Sequence, residues 1–163
     1  PPPPPPPTGR PPVPKRGGAR PQAAALWPER GVRLTVPRRR ILELVWRSDK
    51  PLGAYDILAA IQAAQPKAAP PTVYRALDFL VKHGFAHKVE RLNAFTACNH
   101  PGESHTPAFL ICRQCGAVVE AAAEPAKGAL GAAADQVGFE IEQTVVEAEG
   151  LCPACRNKGT RNA

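Results

Sequence analysis

The sequence predicts an α+β fold, with an N-terminal winged helix-turn-helix domain followed by a small α/β domain. Three observations support this prediction. Three helix-like segments precede two short strand-like segments between Leu34 and Cys98. Residues 1–40 hold nine basic residues and one acidic residue, whereas residues 98–163 hold five basic and eight acidic residues. Two Cys-x-x-Cys pairs lie in the last third of the chain.

The first helix of the winged domain is predicted within LTVPRRRILELVWRS. Thr35 is the expected N-cap, and Pro37 fits the first turn, where a missing N–H is tolerated. One apolar face follows at helical spacing and consists of Ile41, Leu42, Val45 and Trp46. A shorter helix is expected upstream at 23–33. The proline-rich residues 1–21 have too few apolar side chains to fold and are expected to form a disordered tail.

The second and third helices complete the predicted three-helix unit. GAYDILAAIQAAQP is expected to end before Pro66 and to bury a face made of Tyr55, Leu58, Ile61 and Gln62. In PPTVYRALDFLVKHG, Thr72 is the expected N-cap and Gly84 the left-handed stop. The inward face of this third helix is predicted to be Val73, Leu77, Leu80 and Val81.

The segments FAHKVE and AFTAC, joined by a turn at 91–93, are predicted to form a β-hairpin wing. In winged modules the helix before the hairpin enters the major groove of DNA, and the hairpin touches the backbone. The residues expected to contact double-stranded DNA are Thr72, Tyr74 and Arg75. Arginine can pair with guanine, and tyrosine can contact a phosphate or a thymine methyl. Alternatively, Tyr74 covers the edge of the core and Arg75 is solvated.

The rest of the sequence predicts a lobe with about three strands. AFLIC and AVVEA read as paired strands, and EPAKGALGAAADQVG reads as a helix. FEIEQTVVEAEG is predicted to be a half-buried strand, because apolar and polar residues alternate from Phe139 to Glu142. The predicted organisation is a tail at 1–21, the winged helix at 22–97, a hinge at 98–107, a dimerisation lobe at 108–157 and a second tail at 158–163.

Composition limits the function further. The net charge of +7, concentrated in the N-terminal part, favours a polyanionic partner such as nucleic acid. The first residues lack the pattern of a signal peptide, and no apolar run approaches the ~18 residues that a membrane helix needs. A cytoplasmic location without a membrane partner is therefore expected. In that compartment, cysteine clusters bind metals more often than they form disulfides.

The two Cys-x-x-Cys pairs predict one structural zinc site. Two thiolates separated by two residues can bind one ion, and two such pairs complete a tetrahedral sulfur shell. The predicted ligands are Cys112, Cys115, Cys152 and Cys155. Alternatives are a pair of disulfides, buried free thiols or a redox pair, although a redox pair does not explain two copies. Because the lobe's helix consists largely of Ala and Gly, zinc binding is expected to decide whether the lobe folds.

A second group of possible ligands lies between the two domains: His87, Cys98, His100, His105 and Glu120. A mixed nitrogen, sulfur and oxygen set suits zinc, and binding by both domains would couple the metal to their relative orientation. A single loop histidine is more often solvated than a ligand. An enzyme with a small-molecule substrate is not expected, because the His-x-Glu signature of zinc deaminases is absent: Glu103 follows His100 by three residues.

From Leu34 to Asn157 the chain resembles the ferric uptake regulator superfamily and, within it, the zinc uptake regulator (Zur) branch. The resemblance rests on LTVPRRRIL, PPTVYRALDFLVKHGFAHKVE, HTPAFLICRQCGAVVE and EAEGLCPACRN. It implies a homodimer that, when loaded with metal, binds an AT-rich palindromic operator and represses zinc-uptake genes. It also places Tyr74 and Arg75 at positions that read DNA in the family.

The resemblance further implies two zinc ions per chain. The four cysteines of the Cys-x-x-Cys pairs would hold the structural zinc, and the regulatory zinc would be held by His87, Cys98, His105 and Glu120. His100 stays open as an extra ligand or as a replacement for His105. The segment NHPGESHTPAFLIC, which replaces the His-rich run of the iron and peroxide branches, favours zinc. The expected function is a zinc-responsive transcriptional repressor; the alternatives are a sibling regulator for iron, manganese or peroxide, or a thiol redox sensor.

Overall fold

The computed structural model describes Gly31 and residues 33–48, 50–101, 105–123 and 128–159, and these residues form two three-stranded sheets and five α-helices. The first half contains α1 (Val36–Arg47), β1 (Leu52–Gly53), α2 (Ala54–Ala64), α3 (Pro70–Lys82), β2 (Ala86–Val89) and β3 (Ala94–Ala97). The second half contains β4 (Thr106–Cys112), β5 (Val118–Ala123), α4 (Ala129–Val137), β6 (Val146–Gly150) and α5 (Pro153–Gly159). The predicted tail at 1–21, most of the predicted helix at 23–33, and residues 160–163 lie outside the described part.

The first half is a winged helix, as the sequence predicts. Its three helices pack around a core whose largest buried side chains, each at most 1% exposed, are Ile41, Val45, Ile57, Val73, Leu77, Leu80 and Phe85. Strands β2 and β3 form the antiparallel hairpin, joined by a short 3₁₀ turn at Glu90–Leu92 and by Asn93 in the left-handed conformation. Strand β1, which was not predicted, adds to the other edge of β3 and completes the sheet in the order β1-β3-β2.

The start of α3 differs from the prediction. Thr72 is not the N-cap; Ala69 holds that position, and Pro70 and Pro71 occupy the first turn. Proline suits the first turn because its fixed φ is already helical and its missing N–H would have no partner within the helix. The helix therefore begins earlier than a threonine cap would require. At the other end, Gly84 adopts a φ of 73°, which confirms the predicted left-handed stop.

The buried faces of α2 and α3 also differ in part from the prediction. Tyr55 is 80% exposed, whereas Ile57 is fully buried. Ile57 and Ile61, four residues apart, form the face of α2 that packs in the core, and Tyr55 lies off that face. Gln62 is half-buried and donates a hydrogen bond to the Ala68 carbonyl at 3.0 Å. On α3, Val81 is 36% exposed and does not belong to the core.

The second half is built on a sheet with the order β5-β4-β6, in which β4 pairs antiparallel with β5 and parallel with β6. A parallel pair needs a crossover, and α4 with the segment after it provides the connection. The predicted strand at 139–150 is therefore wrong in its first part. Helix α4 ends at Val137, with Gly138 as its C-cap, and strand pairing begins at Val146, opposite Ala108. Helix α5 extends to Gly159, two residues into the predicted second tail.

The two halves contact each other directly. Val89 of β2 is fully buried and packs in a cluster with Phe109, Ile111 and Val118 of the second sheet. This apolar contact positions the hairpin against the lobe and brings the ends of β2 and β3 close to β5. Among the described residues, every helix is too short or too polar to cross a membrane.

Candidate metal centres and nucleic-acid interface

The four cysteines of the two Cys-x-x-Cys pairs lie together at one end of the lobe. Cys112 ends β4, and the turn after it, closed by a hydrogen bond from the Gly116 amide to the Cys112 carbonyl at 2.9 Å, presents Cys115. The parallel register places Gly150 opposite Cys112, so Cys152 follows immediately beside the first pair. The four sulfur atoms lie within 4.8 Å of one another. None of the chain's five cysteines, all within the described residues, forms a disulfide.

The electrostatics of this cluster fit a bound cation. The Cys152 amide donates to the Cys112 sulfur at 3.4 Å, and this bond, with further backbone bonds, lowers the pKa of Cys112 to about 6. Burial, followed by the neighbouring thiols of Cys152, Cys115 and Cys112, raises the pKa of Cys155 to about 12. Four adjacent thiols therefore cannot all ionise unaided. A divalent ion such as zinc would stabilise every thiolate and complete a tetrahedral sulfur site.

A second cluster lies where the two halves meet. His87 projects from β2 and Cys98 follows β3, whereas His105 precedes β4 and Glu120 lies in β5. The Nε2 atom of His105 lies 3.0 Å from Oε1 of Glu120 and 3.6 Å from the Cys98 sulfur. The Nε2 atom of His87 lies 3.4 Å from Oε1 of Glu120. One ligand atom from each residue falls within a 4.8 Å cluster, so two donors come from each half.

This second cluster also fits a metal ion. The Nε2 atom of His87 is buried, and although it lies 3.4 Å from Oε1 of Glu120 it makes no hydrogen bond of good geometry among the described residues. This is costly for a polar atom unless a metal takes its lone pair. Burial favours a raised pKa of Glu120, but His87, the Asn99 amide and His105 outweigh it and lower the pKa. The Asn99 amide holds the second carboxylate oxygen at 3.1 Å. Nitrogen, sulfur and oxygen donors in this arrangement suit zinc.

The geometry of the second cluster favours His105 over His100 as a candidate ligand. His105 contributes an atom to the cluster, whereas His100 is exposed and its ring centroid lies 6.0 Å from that of His105. The cluster therefore contains all four residues of the predicted regulatory set and does not include His100.

The residues predicted to contact DNA lie on one exposed stretch of α3. Thr72, Tyr74 and Arg75 are all exposed, Tyr74 at 43%. Arg39 and Arg40 of α1 add exposed positive charge to the same domain. Sequence reasoning missed Tyr55, which it assigned to the core. Tyr55 is exposed, and it lines the same interdomain cleft as Tyr74.

These features define a winged-helix protein with two candidate metal centres, one within the second lobe and one shared between the halves. Residues 29–149 match the sequence profile of the Ferric uptake regulator family. The chain belongs to this family. It is 44% identical over 135 residues to the zinc uptake regulation protein of Escherichia coli, covering 82% of this chain and 79% of that protein.

Solved structures are similar over most of the chain. A zinc uptake regulator complexed with zinc and DNA is 43% identical, covers 85% of this chain and 93% of its own, and superposes with a TM-score of 0.80. Holo XcZur is 41% identical and superposes with a TM-score of 0.75, covering 83% of this chain and 96% of its own. Apo XcZur is 40% identical and superposes with a TM-score of only 0.51, although the match covers 87% of this chain and 98% of its own. The chain therefore superposes better on holo XcZur than on apo XcZur.

Proposed function

We propose that the protein is a zinc-responsive transcriptional repressor that acts in the cytoplasm, binds palindromic operator DNA as a zinc-loaded dimer and controls zinc-uptake genes. The observation that carries the proposal is the second cluster, because its donors are divided between the winged helix and the lobe. The 44% identity to a zinc uptake regulation protein supports the same function and supports a regulator over an enzyme.

In this proposal the two clusters have different tasks. Cys112, Cys115, Cys152 and Cys155 hold a structural zinc that stabilises the lobe. The regulatory zinc is held by His87, Cys98, His105 and Glu120. When bound there, zinc supplies a double positive charge and four directed bonds that bring nitrogen, sulfur and oxygen donors to one point.

The residues of the second cluster link the two halves. His87 lies in the hairpin and Cys98 directly follows it, whereas His105 directly precedes the first strand of the lobe and Glu120 lies in the second. Holding all four donors together fixes the hairpin, and with it α3, relative to the lobe. Without that link the winged helix samples other orientations, and ligand binding selects the closed one. The higher TM-score with holo than with apo XcZur, at nearly equal identity, supports two such arrangements.

A homodimer would turn this fixed orientation into operator recognition. The outer face of the lobe's sheet exposes Leu110 and Val119, which are cross-strand partners, and α4 exposes Leu130 and Val137. We infer that this apolar surface is the dimer face. With both winged helices fixed, the two α3 helices would lie about one or more DNA turns apart and enter successive major grooves of a palindrome.

Arg75 tests the assignment of α3 as the recognition helix. Arg75→Ala is expected to lower operator affinity by about 1–3 kcal/mol if the guanidinium reads a base. Lys82→Ala, which removes the same charge from the exposed C-terminal end of α3, is the matched control and should cost less. Fluorescence anisotropy with a promoter duplex and with base-substituted duplexes measures both. An equal loss on all sequences would reduce Arg75 to a phosphate contact.

The function itself is tested by zinc content and DNA binding measured together. Purified protein is expected to carry two zinc ions per chain, and the weaker one should control affinity for promoter DNA across a buffered free-zinc series. The same series with iron and manganese distinguishes a sibling regulator. One tight zinc and metal-indifferent DNA binding would contradict the proposal and leave a zinc-stabilised DNA-binding protein with another signal.

A further inference from the structure

The lobe's sheet presents one face to the winged helix, and glutamates lie along it. Phe109 of β4 pairs with Glu120 of β5 on one side and with Glu147 of β6 on the other. Paired residues of neighbouring strands project to the same face of a sheet. Phe109 packs against Val89 of the hairpin, so both glutamates lie on the face that the hairpin covers.

Glu147 binds the turn of the hairpin directly. Its Oε1 atom accepts the Glu90 amide at 2.6 Å, and its Oε2 atom accepts the Arg91 amide at 2.9 Å. These amides open the 3₁₀ turn, where backbone N–H groups have no partner within the turn itself. Two residues along β6, Glu149 accepts the Arg91 side chain, with Nε at 3.0 Å from Oε2. We call this set of contacts the carboxylate clamp.

The hairpin is thereby attached to the lobe at two separate points. At one end of β2, His87 approaches Glu120 on edge strand β5. At the other end, the turn binds Glu147 on the opposite edge strand, β6. Val89 lies between these contacts and packs on the sheet. One point of attachment leaves the hairpin free to pivot about it, whereas two points on opposite edges define its direction.

We propose that Glu147 is a positioning residue whose carboxylate clamp, built from protein groups alone, favours the closed orientation of the winged helix, which the regulatory site then fixes. This inference rests on the proposed function, because it assigns the clamp a role in zinc response. The clamp populates the closed orientation before zinc binds. An apparent affinity falls with the fraction of molecules that are competent to bind, so loss of the clamp weakens regulatory zinc binding without touching a ligand.

Glu147→Gln in the full chain, loaded with structural zinc, tests the proposal. The amide keeps one acceptor oxygen and loses the charge, so one strong hydrogen bond disappears. Without regulatory zinc, the amides of Glu90 and Arg91 are expected to exchange hydrogen about tenfold faster than in the parent. The free-zinc concentration at half-maximal binding to a promoter duplex is expected to rise about tenfold, with dimerisation and structural zinc unchanged.

Glu140→Gln is the matched control, since it removes the same charge from an exposed position in the lobe. Glu147→Ala should shift both readouts further than Glu147→Gln. The clamp would be overturned if Glu147→Gln showed the same amide exchange rates and the same free-zinc midpoint as Glu140→Gln. Faster exchange with an unchanged zinc midpoint would overturn its positioning role. If DNA binding by the parent protein does not depend on zinc, the proposed function fails. Faster amide exchange in Glu147→Gln than in the parent would then still support the clamp as a structural contact.

Discussion

Cys112→Ser is expected to unfold the second lobe, to release its zinc and to abolish dimerisation. A serine hydroxyl does not replace a thiolate as a zinc ligand at neutral pH, so the four-sulfur shell loses one corner. Structural zinc sites contribute an apparent ~10–16 kcal/mol to folding. The total stability of a domain is only ~5–15 kcal/mol. The folding free energy lost with the ion is therefore larger than the stability that the remaining contacts of a small lobe can provide.

The packing of the lobe explains this dependence. Apart from cysteines, the buried apolar side chains of its described residues are Ala108, Phe109, Ile111, Val118 and Ala134. Two of the five are alanines, which bury little surface. The winged helix, in contrast, buries an extended cluster of large side chains. The cysteine cluster ties the end of β4 to the start of α5 and supplies the stability that apolar burial does not.

Zinc content, circular dichroism and sedimentation measure the outcome together. Cys112→Ser should lose zinc, part of its helicity and the dimer, while the winged helix keeps its own core. Cys98→Ser is the matched control, because it removes a thiol outside the four-cysteine cluster and should leave fold and dimer intact. A Cys112→Ser protein that keeps its secondary structure and oligomeric state would refute the assignment of a structural zinc.

A local signal in the sequence predicted the end of α3, whereas the buried face of α2 and the start of β6 depend on contacts that are distant in the sequence. Gly84 marked the end of α3 because a positive φ is a property of the residue itself. Tyr55 was misassigned because apolar spacing allows two neighbouring registers on α2, and contact with the other helices selects the one with Ile57. Likewise, the alternation after Phe139 resembles a strand, yet pairing with β4, a non-local contact, begins at Val146.

The two candidate metal sites also differ in how far local sequence signals could predict them. The four-cysteine cluster was predictable because each Cys-x-x-Cys pair is local and two pairs complete one shell. The second cluster needs the hairpin and the lobe to meet, and spacing alone left His100 and His105 as alternatives. Resemblance to the family favoured His105, and the geometry agrees. Nothing in the sequence singled out Glu147, because alternating glutamates in a strand normally indicate a solvated face.

Cys98→Ser is expected to abolish the zinc response while the protein keeps its fold, dimer and structural zinc. Cys98 is fully buried, and its sulfur lies 3.6 Å from Nε2 of His105. Serine has nearly the same shape, and its hydroxyl can hydrogen-bond the histidine, so the packing survives. The hydroxyl is a much weaker zinc ligand than a thiolate, because it stays protonated at neutral pH. The variant should therefore hold one zinc per chain.

Cys98→Ser is expected to lose all of the coupling between zinc binding and operator binding. Coupling free energies between two sites are typically about 1–3 kcal/mol, so zinc should raise the parent's operator affinity by about 5–150-fold and the variant's affinity hardly at all. His100→Gln is the matched control, since it removes an exposed histidine beside the cluster without removing a donor. Its zinc response should equal that of the parent.

Thermodynamic reciprocity makes the test stricter. If zinc tightens operator binding through the second cluster, operator DNA must tighten zinc binding there by the same factor. Competition with a zinc chelator, with and without promoter duplex, should reveal this gain in the parent and in His100→Gln but not in Cys98→Ser. A Cys98→Ser protein whose zinc-dependent gel shift is unchanged would move the regulatory site elsewhere, because a cluster that spans both halves can fix their orientation only while all four of its donors meet.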